Sequence, residues 1–153
     1  MTILDKIIAD KRKEVALKKA IIPVAQLEAS VFFDRQTKSL SNNLRNGSRG
    51  IIAEHKRRSP SKSVINNDFS VEEVIKGYEN AGAMGISVLT DMKYFGGALD
   101  DLVLARASTT IPLLRKEFII DEYQILEAKA YGANVILLIA SVLTRKEIGK
   151  LSK

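Results

Sequence analysis

Four short apolar runs, each followed by a polar loop and then an amphipathic stretch, constrain this chain more than any other feature. Gly50-Ile-Ile-Ala opens the series, Ile86-Ser-Val-Leu-Thr is second, Ile111-Pro-Leu-Leu third and Val135-Ile-Leu-Leu-Ile-Ala fourth. The helix-like stretches lie at Val71 to Ala81, Asp100 to Ala107, Asp121 to Tyr131 and from Arg145 onward. Strands that are apolar on both faces and alternate with helices predict an α/β protein, a parallel sheet covered by helices. Gly82 and Gly132, each just before a run, suit helix C-caps. Two architectures accept four such units: a small doubly wound open sheet, or part of a (β/α)8 barrel. Periodicity alone does not choose between them.

Ahead of the repeat, the opening segment reads as a helix. Thr2 can cap it with Asp5 three residues on, and Ile3, Ile7 and Ile8 recur on one face. Pro23 closes or bends this helix. From Gln26 to Gly50 the pattern is weak, and Asn42, Asn43, Asn46 and Gly47 are read as turns.

Composition removes several function classes. No stretch approaches the roughly 18 apolar residues of a membrane span, and the charged N-terminus lacks the apolar core of a secretory signal, so no membrane partner is expected. The absence of cysteine excludes disulfides and thiolate metal sites and leans toward a cytoplasmic location. With His55 the only histidine, a histidine metal cluster or a Ser-His-Asp triad is not expected. The net charge of +6 admits nucleic acid, an anionic surface or an anionic small molecule as partner. The cations do not form one block, which argues against nucleic acid. Lys6, Lys11, Arg12, Lys13, Lys18 and Lys19 are assigned to the solvated face of the first helix. Lys56, Arg57, Arg58 and Lys62, clustered at the end of the first strand, have the better claim on function.

In both candidate architectures the working residues sit where strands run into their following loops. Alternation along Ala53-Glu54-His55-Lys56 puts Glu54 and Lys56 on one face and His55 on the other, where packing is its expected role. Along Leu114-Arg115-Lys116-Glu117-Phe118, Lys116 shares a face with Leu114 and is expected to point inward. Two lysines and a glutamate at one mouth could hold an anionic substrate and move protons, since desolvation or a neighbouring cation can ready a lysine as a general acid. Taken singly, each of these charges could equally be solvated or paired. No phosphate-cradling glycine fingerprint is present.

Three motifs in order carry a resemblance that covers essentially the whole chain. Ile51-Ile-Ala-Glu-His-Lys-Arg-Arg-Ser-Pro-Ser-Lys62, Ile86-Ser-Val-Leu-Thr-Asp-Met-Lys-Tyr-Phe-Gly-Gly97 and Pro112-Leu-Leu-Arg-Lys-Glu-Phe-Ile-Ile-Asp121 resemble the first three strand motifs of indole-3-glycerol-phosphate synthase. The leading Ile3-Leu-Asp-Lys-Ile-Ile-Ala-Asp-Lys-Arg12 is similar to that family's first helix. The resemblance implies a (β/α)8 TIM barrel and the ring-closing decarboxylation of tryptophan biosynthesis. Lys116 is similar to the lysine that protonates the ketose oxygen, Lys56 to the one that binds anionic groups and assists dehydration, and Glu54 to the glutamate that organises both. Ser59 and Ser61 fall in a substrate-binding Ser-Pro-Ser turn, and Phe95, Phe118 and Leu137 where the family lines its anthranilate pocket. No metal and no organic cofactor are implied, and the partner is a small molecule bearing a carboxylate and a phosphate. Ser63, His55, Gly96 and Glu117 depart from the residues usual in that family, and none of them is one of the three site charges.

A whole barrel of this kind takes roughly 250 residues. This chain is therefore expected to hold only about the first four βα units (residues 49–153) behind an N-terminal helical extension (residues 1–48), to be inactive alone, and to self-associate through the open half-barrel. Another sugar-phosphate barrel enzyme, such as a phosphoribosyl isomerase, and a non-catalytic half-barrel binding module are the alternatives.

Overall fold

In the computed structural model, which describes residues 1–153, the chain starts with the expected helix, α1 (Ile3–Ile21). Its capping box is complete: the Asp5 amide donates to Thr2 Oγ1 at 3.1 Å, and the Thr2 amide donates to Asp5 Oδ2 at 2.7 Å. Pro23 ends the excursion and caps a short second helix, α2 (Val24–Glu28). The segment read as turns instead contains a helix, α3 (Leu40–Asn46), so Asn42, Asn43 and Asn46 are helical. Ser39 caps it by accepting from the Asn42 amide at 3.2 Å, and the Asn43 side chain donates to the Met84 carbonyl. This helix is held by contacts with a distant segment, which local propensity does not report.

From here the repeat takes over. Strand β1 (Ile52–His55) leads to α4 (Val71–Asn80), and β2 (Gly85–Leu89) to the single turn α5 (Met92–Phe95) and then α6 (Leu99–Ser108). Strand β3 (Leu113–Lys116) leads to α7 (Glu122–Ala130), and β4 (Val135–Ile136) to α8 (Arg145–Leu151). The four strands form one parallel sheet in the order β1-β2-β3-β4. Gly82 and Gly132 follow α4 and α7 at φ +91° and +102°, the left-handed turn that lets each helix hand over to its strand. No helix is long and apolar enough to cross a membrane.

The two faces of the sheet differ in chemistry. Ile86, Val88 and Leu113 project into a core with Val71, Ile75, Leu102, Ala105, Ala128 and Ala133, which welds the helices to one side. All of β2 is buried because β1 and β3 flank it. The outer strands are shorter and more exposed than the apolar runs suggested. Strand β1 starts at Ile52 and leaves Ile51 and Ile52 exposed, since it has a strand neighbour on one side only. Strand β3 starts beyond Pro112, which has no amide to donate but whose carbonyl accepts from Ile86 at 3.0 Å. Strand β4 ends at Ile136, at the other open edge, and the rest of its run is half-buried or exposed.

Candidate active site

Parallel register brings three residues from separate strands together. Glu54 pairs with Ser87 across β1 and β2, and Leu89 with Lys116 across β2 and β3. Glu54 is the hub of the resulting cluster. Its Oε2 accepts from Ser87 Oγ at 2.9 Å and from Lys116 Nζ at 3.0 Å, while Oε1 lies 3.3 Å from Lys56 Nζ. Burial alone would push the Glu54 carboxyl up; the hydrogen bonds from Lys116 and Ser87, with the charge of Lys116, outweigh it and hold it below the usual glutamate range. One carboxylate thus anchors two ammonium groups at the C-terminal ends of the strands.

These charges border a cavity of about 90 Å³, lined also by Leu89, Asp91, Phe95, Glu117, Phe118 and Ile139. The Phe95 and Phe118 rings stand 6.1 Å apart and tilted by 42°, packed on each other as one apolar wall of this slot beside the ammonium pair. Gly97 lets the Phe95 loop lie flat on the sheet end, since a Cβ there would stand 2.1 Å from the Leu89 carbonyl oxygen. Binding pockets for whole small molecules usually measure roughly 300–1,000 Å³. The slot is therefore smaller than a pocket that takes up a whole small molecule.

Of the residues expected in the site, Glu54, Lys56, Lys116, Phe95 and Phe118 come together here. Ser59, Ser61 and Leu137 do not line this cavity. Ser59 and Ser61 form an exposed turn closed by the Ser59–Lys62 backbone bridge, with their hydroxyls 3.2 Å apart. Ile139 occupies the cavity wall that Leu137 was expected to share. His55 is buried on the opposite face, where burial pushes its pKa down and leaves Nε2 without a partner.

The basic cluster after β1 divides. Lys56 faces the cavity, but Arg57 grips Asp101 at the start of α6, with Nη2 to Oδ1 at 2.9 Å. Arg58 donates to the Met92 and Lys93 carbonyls of α5 at 3.0 and 3.1 Å. These two arginines build the loops around the site.

One expectation is overturned. Lys11 is not on a solvated face: it is 2% exposed, with Nζ 2.7 Å from Glu14, 2.8 Å from Asp91 and 3.1 Å from Glu117. Burial alone would push its pKa down, yet Glu117, Asp91 and Glu14 together outweigh that and raise it. The signal was present in the spacing. Ile7, Lys11 and Val15, four residues apart, are the buried stripe of α1, and Lys11 lies on it. Asp91 and Glu117, both on the cavity wall, are site-lining residues that the sequence motifs do not mark.

The sequence model of the family described as indole-3-glycerol phosphate synthase matches residues 4–153. Relatives named indole-3-glycerol phosphate synthase include that of Bacteroides thetaiotaomicron, 44% identical over 151 residues, 99% of this chain and 58% of the relative. That of Dechloromonas aromatica is 43% identical over 150 residues, 95% of this chain and 57% of the relative. That of Neisseria meningitidis serogroup B is 42% identical over 150 residues, again 95% and 58%. The chain thus spans somewhat under three-fifths of the length of these relatives.

Proposed function

Because the chain belongs to the indole-3-glycerol phosphate synthase family, a family of (β/α)8 barrels, we propose that it carries the first half of the ring-closing site. Residues 1–48 are the helical extension and 49–153 the first four βα units. The reaction converts 1-(2-carboxyphenylamino)-1-deoxyribulose 5-phosphate to indole-3-glycerol phosphate, carbon dioxide and water.

The observation that carries this reading is the Glu54 carboxylate holding Lys56 and Lys116 beside the phenylalanine slot. The substrate's anthranilate ring enters the slot, with its carboxylate near the ammonium groups. Lys116 donates a proton to the ketose oxygen as the ring carbon bearing the carboxylate attacks the carbonyl carbon. The new carbon–carbon bond leaves a cationic ring, and loss of carbon dioxide returns the electron pair that restores its aromaticity. Lys56 then protonates the departing hydroxyl, which leaves as water, and loss of a carbon-bound proton completes the indole. Glu54 stays ionised throughout and keeps the two ammonium groups from drifting apart.

Anthranilate and ribose 5-phosphate titrated separately into the chain test the reading against a phosphoribosyl isomerase. Anthranilate is expected to bind, and to bind less well to Lys116→Ala. Binding of ribose 5-phosphate with no response to anthranilate would favour the isomerase. The open strand edges β1 and β4 support a second statement, that the isolated half self-associates.

A further inference from the structure

The buried lysine of α1 meets the wall of the cavity that the catalytic cluster borders. Its three partners lie on different elements. Glu14 is on α1 itself, Asp91 lies in the loop after β2 as the N-cap of α5, and Glu117 begins the loop after β3. Asp91 also accepts from the Tyr94 amide at 2.7 Å, which caps the turn that ends in Phe95. Glu117 also accepts from the Phe118 amide at 2.9 Å and from Thr90 Oγ1 at 2.9 Å. Each carboxylate therefore has one oxygen near Lys11 and another hydrogen bond that holds a wall of the aromatic slot.

The neighbouring residue of α1 strengthens the attachment. Asp10 accepts from Lys93 Nζ at 2.6 Å and from the Tyr94 hydroxyl, both on α5. Behind the slot, Arg115 pairs with Glu127 at 2.7 Å and donates to Thr90 Oγ1 at 3.1 Å. Lys18 of α1 reaches the same Glu127 at 3.2 Å. Docking a helix needs none of this, since apolar side chains do it, as Ile7 and Val15 do on either side of Lys11. Apolar replacement of a buried ion set is often neutral or favourable to stability, so a lysine here points to positioning rather than adhesion.

We propose that Lys11 is a positioning residue of the cavity: its ammonium, shared by Asp91 and Glu117, sets the spacing of the two loops that carry Phe95 and Phe118. The α1 helix is then a structural part of the site, although it contributes no atom to the cavity lining. That the slot receives an anthranilate ring rests on the function proposed above; that Lys11 shapes the slot does not.

Fluorine NMR of the chain carrying 4-fluorophenylalanine at its five phenylalanines tests this, paired with anthranilate titration. In Lys11→Met the Phe95 and Phe118 signals are expected to shift and broaden, and the anthranilate dissociation constant to rise by about tenfold. Lys11→Arg, which keeps the charge, is expected to restore both. A general loosening of α1 would instead move Phe33, which packs against the cluster that holds Val15, Leu27, Tyr123 and Ala130. A folded Lys11→Met whose Phe95 and Phe118 signals coincide with the parent's overturns the proposal. So does movement confined to Phe33. Should Lys11→Met not fold, Asp91→Asn keeps an acceptor for Tyr94 while releasing Lys11; Phe95 is then expected to move and Phe118 to stay, and an unmoved Phe95 overturns the proposal. A parent chain that ignores anthranilate defeats the functional reading alone, and the fluorine spectra still decide the positioning.

Discussion

Lys116 Nζ and Glu54 Oε2 stand 3.0 Å apart across two strand boundaries, and the same carboxylate faces Lys56 through its other oxygen. The two lysines meet through Glu54, and removing its charge leaves two like charges at one mouth. In a barrel completed with the remaining βα units, Glu54→Gln is predicted to lower kcat by about 10²-fold or more, measured as indole-glycerol phosphate fluorescence. Undiminished turnover would mean that the glutamate organises nothing.

Glu54 also links stability to pH. Its folded pKa lies below the ordinary value, so the stability it contributes is complete above the usual glutamate range, about pH 4.3, and is lost as pH falls through the lower folded value. Thermal melts of the chain are predicted to show a steeper fall of Tm below about pH 4.3 than melts of Glu54→Gln. Parallel curves would count against a carboxylate stabilised by its lysines.

His55 gives a second titration, visible alone because it is the only histidine. Burial lowers its folded pKa, so the neutral ring supports the fold above the ordinary value of about 6.5, and that support declines as pH falls below it. Its imidazole NMR signals are predicted to titrate with a midpoint below about 6.5. A midpoint at or above that value would contradict the burial.

Two lysines of α1 should behave differently when replaced by methionine. Lys11→Met leaves two buried carboxylates short of a partner and is predicted to cost about 3–5 kcal/mol. Lys19→Met breaks only the partly exposed pair with Asp121, worth about 1 kcal/mol or less. Denaturant titrations measure both; equal costs would show that burial of Lys11 has no energetic consequence.

Self-association of residues 1–153 is predicted from the two open edges of the sheet and the exposed Ile51 and Ile52 on β1 and just before it. Light scattering is predicted to report a mass above 16.9 kDa that grows with concentration. A single 16.9 kDa species throughout would oppose it.

Much of this architecture was legible because buried parallel strands write themselves as apolar runs, and because Thr2 and Asp5 mark the start of α1 with a capping box that sequence also displays. Alternation alone put Glu54 with Lys56 and Lys116 with Leu114, and the parallel register of β1, β2 and β3 makes these one face. The short helix α3 could not be found that way, since Asn43 is held by the carbonyl of Met84 from a distant segment. The burial of Lys11 was not legible for another reason. Its charge suggested solvent, while its place between Ile7 and Val15 marked the buried stripe, and its counter-charges lie far along the chain.

The role of Lys116 is tested by joining residues 1–153 to the complementary βα units of the Bacteroides thetaiotaomicron relative and following ring closure with Lys116 intact or replaced by alanine. Turnover is predicted in the first protein and a loss of about 10²-fold or more in the second. Equal turnover in both would contradict it, because the proton for the ketose oxygen would then come from elsewhere.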